Sequence, residues 1–252
     1  MVLCGTCGYS YKEWEKVFYP EGMRNNAYLH YYAGIFPALE IDSTFYRMPT
    51  PFLLSKWKSQ APDLRFCLKA PRTLTHEISD WKGEANTFSI ALDAMGENLA
   101  AVLFQFPQSF HRTEGNRLYL ASLLDAFASF PKVVEFRHKE WGIDRVFESL
   151  DKRNTGFCVC DMPSLSALPC FQPVVTGGLG YVRFHGRNDA AWYGAGSAER
   201  YAYTYSAEEL KKTLPIIRAI DDDAKETYLF FNNHPGGGAT VNARTMMYLL
   251  KE

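Results

Sequence analysis

Three features that mark particular classes of protein are scarce in this sequence: surplus positive charge, clustered cysteine and long apolar runs. The chain has 27 Lys and Arg against 28 Asp and Glu, a formal net charge of −1. An extended nucleic-acid contact needs a surplus of cations, so none is expected. Six cysteines in 252 residues are too few for a disulfide scaffold. No run approaches the ~20 apolar residues that span a bilayer, so no membrane partner is expected.

The first residues lack the basic segment and apolar run of a secretory signal peptide, so a cytoplasmic location is expected. Cys4 and Cys7 have the spacing of a redox or metal pair, but no second such pair and no histidine pair completes a zinc set. Buried structural thiols are the favoured interpretation, and the role of the two cysteines stays open. Nothing in the sequence indicates an oligomeric state.

Short apolar runs alternate with helical patterns along the whole chain, and eight of these runs are strand candidates. They are Val2–Cys7, Leu39–Thr44, Arg65–Lys69, Ala101–Phe106, Val133–Arg137, Phe157–Asp161, Tyr181–His185 and Tyr228–Asn232. Eight such units in about 250 residues predict an α/β protein with the TIM (β/α)8 barrel fold, one domain over residues 1–252. A proline-rich segment at 162–173 predicts a degenerate unit after the sixth strand. An open doubly wound sheet is the alternative, although no G-x-G-x-x-G follows the first strand.

Polar residues stand where an inert barrel would have Val, Ile or Leu. Because residues i and i+2 share one face of a strand, the last inward pair of each strand can be predicted. The predicted pairs are Glu40 and Asp42, Cys67 and Lys69, Leu103 and Gln105, Glu135 and Arg137, Val159 and Asp161, Arg183 and His185, and Phe230 and Asn232. The polar residues at these strand ends favour a ligand site at the C-terminal mouth of the barrel. A purely structural lattice of ion pairs is the alternative.

The loops after the strands carry further polar and glycine residues. The candidates are Tyr46, His76, His138, Arg187, Asn233, Gly236 and Gly237. A glycine-rich turn before a helix can hold a phosphate through backbone N–H groups, although a flexible connection is the alternative. The turn lacks the lysine and serine of a P-loop. Aromatic residues crowd the same loops, and the sequence does not separate those that stack on a ligand from those that pack on helices.

Several strings in fixed order resemble one family over essentially the whole chain. They are Gly5–Tyr11 with Trp14, Phe18–Pro20, Glu40–Pro49, Leu74–His76, Phe104–Pro107, Glu135–His138 with Trp141, Val182–Arg187 and Phe230–Asn233. This pattern resembles the YecE-like family, domain of unknown function seventy-two. The resemblance implies a TIM barrel and no settled activity. Many members have Ser in place of Cys7 and Trp in place of Tyr9, which weakens a catalytic role for the Cys7 thiol.

The favoured hypothesis is an enzyme of the hydrolase or isomerase type that acts on an anionic, phosphorylated small molecule or nucleotide. Its predicted catalytic residues are Glu135 or Asp161 as general base, His185 as acid or electrophile, and Lys69 as a point charge. Arginines would clamp the anion. The full set of predicted substrate contacts is Glu40, Asp42, Tyr46, His76, Gln105, Arg137, His138, Arg183, Arg187, Asn232, Asn233, Gly236 and Gly237.

Two other functions stay open from the sequence. A metal-dependent phosphodiesterase or nuclease could use hard ligands for Mg²⁺, Mn²⁺ or Zn²⁺. The ligand set would be Glu40, Asp42, Glu135, Asp161 and His185. Arginine and lysine on the same face argue against it, so no metal ligand and no cofactor is assigned, although a divalent metal stays open. A ligand sensor or interaction scaffold without chemistry is the third hypothesis, and the fold alone cannot rank the three.

Overall fold

The computed structural model describes residues 1–78, 80–193 and 196–252. Within these residues, eight parallel strands form a closed barrel in chain order, so the predicted TIM barrel is confirmed. The strands are β1 (Val2–Cys7), β2 (Ala38–Ile41), β3 (Arg65–Lys69), β4 (Leu99–Gln105), β5 (Lys132–Glu135), β6 (Thr155–Asp161), β7 (Leu179–Phe184) and β8 (Glu226–Phe231).

Helices connect most of the strands and surround the barrel. They are α1 (Tyr28–Ala33), α2 (Ser43–Tyr46), α3 (Pro51–Gln60), α4 (Trp81–Leu92), α5 (Glu114–Ala126), α6 (Asp144–Asp151), α7 (Ser197–Arg200), α8 (Ala207–Asp223) and α9 (Gly238–Leu249). Short 3-10 turns lie at Lys12–Trp14, Asn25–Ala27, Arg72–Leu74, Gly96–Asn98, Lys139–Trp141 and Pro235–Gly237. No helix of the described residues is long and apolar enough to cross a membrane.

Side-chain caps begin several of these helices. Thr50 accepts a hydrogen bond from the backbone of Leu53, and Pro51 occupies the first turn of α3. A capping box begins α8: Ser206 accepts from the Glu209 backbone, and the Glu209 carboxylate accepts from the Ser206 backbone. These caps fix where the chain leaves each loop at the mouth.

The degenerate unit after β6 is also confirmed, because residues 162–178 contain no helix. The ends of β2 differ from the prediction. The strand stops at Ile41, since Ser43–Tyr46 turns into α2 and the Thr44 hydroxyl donates to the Lys69 carbonyl at 2.6 Å. The other strand boundaries lie within about two residues of the predicted ones.

Side chains along each strand point alternately to an apolar layer under the helices and to the barrel interior. The outer layer includes Phe104, Val134, Phe157, Val159, Val182 and Phe231. The interior layer includes Cys67, Leu103, Val133, Cys158, Cys160, Tyr181 and Phe230. The predicted inward pair of β6 is therefore wrong: Cys158 and Cys160 face inward, whereas Val159 and Asp161 face outward.

Candidate functional site

Arg183, on β7, is the centre of a charged network inside the barrel. Its guanidinium is 1% exposed and donates to Glu135 Oε2 at 2.5 Å and to Glu40 Oε1 at 2.6 Å. The carboxylate of Asp42 lies 3.8 Å away. One guanidinium therefore joins β2, β5 and β7 across the interior, and two fully buried carboxylates depend on it.

Glu40 and Glu135 are both buried, yet they differ in ionisation. Burial raises the pKa of Glu40 to about 7 even though Arg183 opposes the shift, and Asp42 adds to the rise. Burial acts in the same direction on Glu135, but Arg137 and Arg183 outweigh it and hold the pKa of Glu135 well below its usual range. Arg183 is shared by both carboxylates, but only Glu135 has a second arginine beside it. Glu135 therefore keeps its charge, whereas Glu40 takes up a proton first as the pH falls.

His185 lies above this pair and is fully buried. Its Nε2 is 3.4 Å from Glu135 Oε1, and its Nδ1 is 3.0 Å from Asn232 Nδ2. The Asn232 amide approaches one ring nitrogen, and the Arg137 guanidinium, whose Nη2 lies 3.2 Å from Nε2, approaches the other. Burial, followed by the charge of Arg137, lowers the pKa of His185 well below its usual value. His185 is therefore a neutral histidine enclosed by Arg137, Glu135 and Asn232.

Arg137 separates the buried network from an open cavity. Its Nε donates to Glu135, and its Nη2 lies 3.2 Å from His185 Nε2. The same side chain lines a cavity of about 190 Å³ at the mouth of the barrel. The residues around the cavity are His76, Gln105, Pro107, Gln108, Arg137, Leu168, Trp192, Tyr193, Arg200 and Tyr201. Arg137 thus has one side in an ion pair and the other at the ligand-accessible surface.

A second group at the mouth brings together Lys69, Phe45 and His76. Lys69 Nζ lies 4.3 Å from the centre of the Phe45 ring, which in turn packs edge-on against His76 at 4.8 Å. Burial, and then the charges of Lys69 and Arg137, lowers the pKa of His76 to about 4. The imidazole is neutral at pH 7 and lies in a positive electrostatic potential.

The structure brings most of the predicted strand-end residues together, but their accessibility differs. Gln105 lines the cavity and donates to the Phe106 carbonyl at 2.7 Å. Asp42 lines a separate small cavity with Tyr9 and Tyr11. Tyr46 is 73% exposed and is not among the residues around the mouth cavity.

Asp161 and Arg187 form a pair outside the barrel interior. Arg187 donates to both carboxylate oxygens of Asp161, at 2.9 and 2.6 Å, and the Tyr205 hydroxyl donates to the same group at 2.6 Å. Because Asp161 faces outward from β6, the prediction that it belongs to the inward pair of this strand is wrong. The pair holds the loop after β7 against the chain near Tyr205, whose hydroxyl also accepts from the Gly186 backbone at 2.8 Å.

The residues predicted after β8 also lie away from the cavity. The side chain of Asn233 is buried and donates to the Tyr203 carbonyl and to Asn242, at 2.7 and 2.8 Å. Gly236 and Gly237 both have positive φ and form the turn that leads into α9. Neither they nor Asn233 are among the residues around the mouth cavity. Only their neighbour Asn232 points into the interior, where it bonds His185.

Sequence reasoning missed Arg200, and it named Trp192, Tyr193 and Tyr201 only among the many aromatic residues of the loops, without assigning any of them to the site. Trp192 is buried, and its ring lies 5.7 Å from the Arg137 guanidinium and 5.8 Å from that of Arg200. Both residues lie in the long connection between β7 and α8, where no strand periodicity marks a direction. The aromatic richness of the loops was the available signal, but it does not show which rings reach the mouth.

A larger cavity of about 240 Å³ lies between α5 and α6, with Arg112, Arg117, Arg145 and Arg153 at its edge. Leu120, Leu124 and Leu150 are among its apolar walls. It contains no residue from the ends of the strands. The mouth cavity is therefore the better candidate site, because strand-end side chains converge there.

Comparison with known proteins gives a family and no activity. The family described as "Protein of unknown function DUF72" matches residues 3–252, which confirms the resemblance found in the sequence. The UPF0759 protein YunF of Bacillus subtilis (strain 168) is 28% identical over 252 residues, which cover 92% of this chain and 89% of YunF.

Two solved structures of the same family share the fold. A DUF72 family protein of Thermotoga maritima MSB8, TM1631, is 34% identical, with a TM-score of 0.91 and full coverage of both chains. The Enterococcus faecalis V583 protein EF0366 is 24% identical, with a TM-score of 0.88, and the match covers 100% of this chain and 96% of that one. This second likeness shows the fold alone.

Proposed function

Because the chain belongs to the DUF72 family of proteins of unknown function, we propose a function from the geometry of its own site. The chain is an enzyme of the hydrolase or isomerase type, and its barrel mouth binds a phosphorylated small molecule or nucleotide. One observation carries the proposal: the charged residues of the cavity are Arg137 and Arg200, and no carboxylate is among the described residues that line it.

The two arginines suit an anion of compact shape. A guanidinium presents paired N–H groups that match two oxygens of a phosphate. Arg200 Nε is buried and has no hydrogen-bond partner among the described residues, so an anion would satisfy it. Arg137 is held in place by Glu135, which positions its exposed side without a further loss of side-chain entropy on binding.

The aromatic wall of the cavity suits a ring attached to that anion. The Trp192 ring lies 5.7 Å from the Arg137 guanidinium and 5.8 Å from that of Arg200, while Tyr193 is 51% exposed and Tyr201 borders the same space. Aromatic side chains stack on bases and on the apolar faces of sugars. The volume of about 190 Å³ fits a small phosphorylated compound better than a polymer.

His76 is the residue of the cavity best suited to move a proton. It is neutral at pH 7, because burial, Lys69 and Arg137 lower its pKa to about 4. A bound anion would raise that pKa and make the imidazole a stronger proton acceptor. The Thr75 hydroxyl lies 2.9 Å from Nδ1 and orients the ring. Glu135 and His185 do not suit this role, since both are 0% exposed and engaged with each other and with arginine.

Ligand binding is tested with inorganic phosphate, sugar phosphates and nucleotides, measured by isothermal titration calorimetry. Arg200→Gln should weaken the best ligand by about 10- to 100-fold, since a hydrogen bond to a charged group contributes about 1.5–3 kcal/mol. Arg218→Gln is the matched control, because Arg218 is exposed on α8. The proposal fails if no phosphorylated compound binds, or if both variants bind like the wild type.

Turnover is tested with the compound that binds best, by following phosphate release and interconversion of the ligand by NMR. His76→Gln should remove turnover and leave the dissociation constant nearly unchanged, because the imidazole contributes chemistry more than binding. Tight binding without any turnover would refute the enzymatic part and favour a ligand sensor.

The alternative metal-dependent phosphodiesterase or nuclease is less well supported. Its predicted ligand Asp161 lies outside the interior, and Glu40 and Glu135 are bonded to Arg183. A divalent cation among them would have to displace a guanidinium that neutralises both carboxylates. The geometry therefore favours an anion over a cation at the mouth.

A further inference from the structure

We propose that His111, His138 and Glu140 form a binding site for a divalent transition metal ion, with Zn²⁺ as the best match. The three side chains come from the connections that follow β4 and β5. One ligand atom from each lies within 4.8 Å of the other two. Nothing in the proposed recognition of an anion at the cavity uses this group, so the inference is independent of that function.

The distances fit the edges of a zinc coordination polyhedron. His111 Nδ1 is 3.4 Å and His138 Nδ1 is 3.6 Å from the same oxygen, Glu140 Oε2. Zinc binds nitrogen and oxygen at about 2.0–2.2 Å, so two ligand atoms at a tetrahedral angle are about 3.4 Å apart. The two histidine nitrogens therefore already stand at the right separation from the carboxylate.

The surroundings hold the ligands without blocking them. The Glu140 carboxylate accepts from the Arg112 backbone N–H at 3.1 Å, which fixes its orientation. The imidazoles of His111 and His138 pack edge to face with centres 4.5 Å apart, and a ligand atom of each lies within 4.8 Å of the other, so both rings are close enough to share one ion. His138 Nδ1 also receives a long contact from the Glu140 backbone, 3.4 Å, which the metal would replace.

The donor set selects the class of metal. Two imidazoles and one carboxylate favour Zn²⁺ and its neighbours over Mg²⁺ or Ca²⁺, which prefer oxygen ligands. Three protein ligands leave one tetrahedral position for water or another small ligand, as in zinc sites that are not purely structural. Another histidine–carboxylate contact, His234 with Glu13 at 3.5 Å, has no third ligand beside it among the residues that the structure describes and serves as an internal comparison.

The test uses the full chain stripped with a chelator and titrated with Zn²⁺ alone against a chromophoric competitor. The wild type should bind one equivalent with a micromolar or lower dissociation constant. His111→Gln, His138→Gln and Glu140→Gln should each weaken binding by at least about tenfold, because loss of even an outer-shell partner costs about 10- to 100-fold. His234→Gln and Cys170→Ser should leave it unchanged, and the latter removes the exposed thiol.

Cobalt supplies a readout that does not depend on the variants. Co²⁺ bound to the wild type by these three ligands should give the strong visible absorption of a four- or five-coordinate ion, and zinc should displace it. The inference is overturned if the wild type binds no zinc, if cobalt gives only the weak spectrum of an octahedral ion, or if the three variants keep wild-type affinity.

Discussion

The substitution Glu40→Gln tests the shared guanidinium inside the barrel. Glutamine keeps the shape of the side chain and its acceptor toward Arg183, which lies 2.6 Å from Glu40, but it cannot ionise. In the wild type, burial raises the pKa of Glu40 to about 7 from an ordinary value of 4.5. Between pH 4.5 and about 7, Glu40 therefore keeps its proton in the folded state, whereas in the unfolded state it has already lost it.

The sign and size of the effect follow from that difference. Because the folded pKa is raised, the contribution of Glu40 to the free energy of unfolding falls as pH rises from 4.5 to about 7. A shift of roughly 2.5 pKa units corresponds to about 3 kcal/mol. The difference in unfolding free energy, variant minus wild type, should thus increase by about 3 kcal/mol between pH 4.5 and pH 8. Other titrating groups largely cancel in this difference.

Urea denaturation of both proteins at several pH values, followed by circular dichroism, measures the difference directly. Glu135→Gln is the matched comparison, since Glu135 bonds the same guanidinium but also pairs with Arg137. Its loss leaves two buried cations short of a partner and should destabilise the fold by about 3–5 kcal/mol at pH 7. The reasoning is refuted if the difference for Glu40→Gln stays flat across this pH range, or if the two variants behave alike.

Three further predictions test other parts of the structure. Asp161→Asn should lower the free energy of unfolding, measured in urea, by about 1–3 kcal/mol, because the bidentate pair with Arg187 is lost. Ligand affinity at the mouth should not change, and a drop in affinity would show that Asp161 belongs to the site after all. Gly237→Ala should lower the free energy of unfolding by about 1–3 kcal/mol, because its φ is +79° and a Cβ would lie 2.7 Å from a Val17 carbon. Gly236→Ala should cost less, because a Cβ there would lie in open space. Equal melting temperatures of the two variants would contradict this prediction. Sulfate affinity should rise as pH falls from 7 toward 4, because an anion raises the low pKa of His76, and His76→Gln should lack this slope in calorimetric titrations.

The barrel could be predicted because its strands are short, apolar and regularly spaced. β1 and β3 have the predicted bounds, and the proline-rich segment after β6 correctly indicated a missing helix. The error on β6 has a simple physical cause. Its sequence alternates cysteine with Phe157 and Val159, so both faces are apolar, and hydrophobicity alone cannot tell which of them points into the barrel.

The site was predictable to the extent that strand ends determine it. Glu40, Glu135, Arg137, Arg183 and His185 meet as expected from alternation along their strands. Which of them remain accessible depends on how they pair, and pairing between residues up to 143 positions apart leaves no local signal in a sequence. The far wall of the cavity was out of reach for a different reason: Trp192 and Arg200 belong to a long connection whose path depends on tertiary packing.

The contacts of Arg183 also bear on how the barrel assembles. A cut between β4 and β5 would leave Glu40 in one fragment and the arginine that neutralises it in the other. The half with β1–β4 would then bury Glu40 without its cation, and the other half would bury two arginines against the single carboxylate of Glu135. This imbalance favours all-or-none folding of the whole cylinder over stepwise docking of two stable halves. Two fragments expressed together would have a reason to recombine in one orientation, because only the native pairing returns a cation to Glu40.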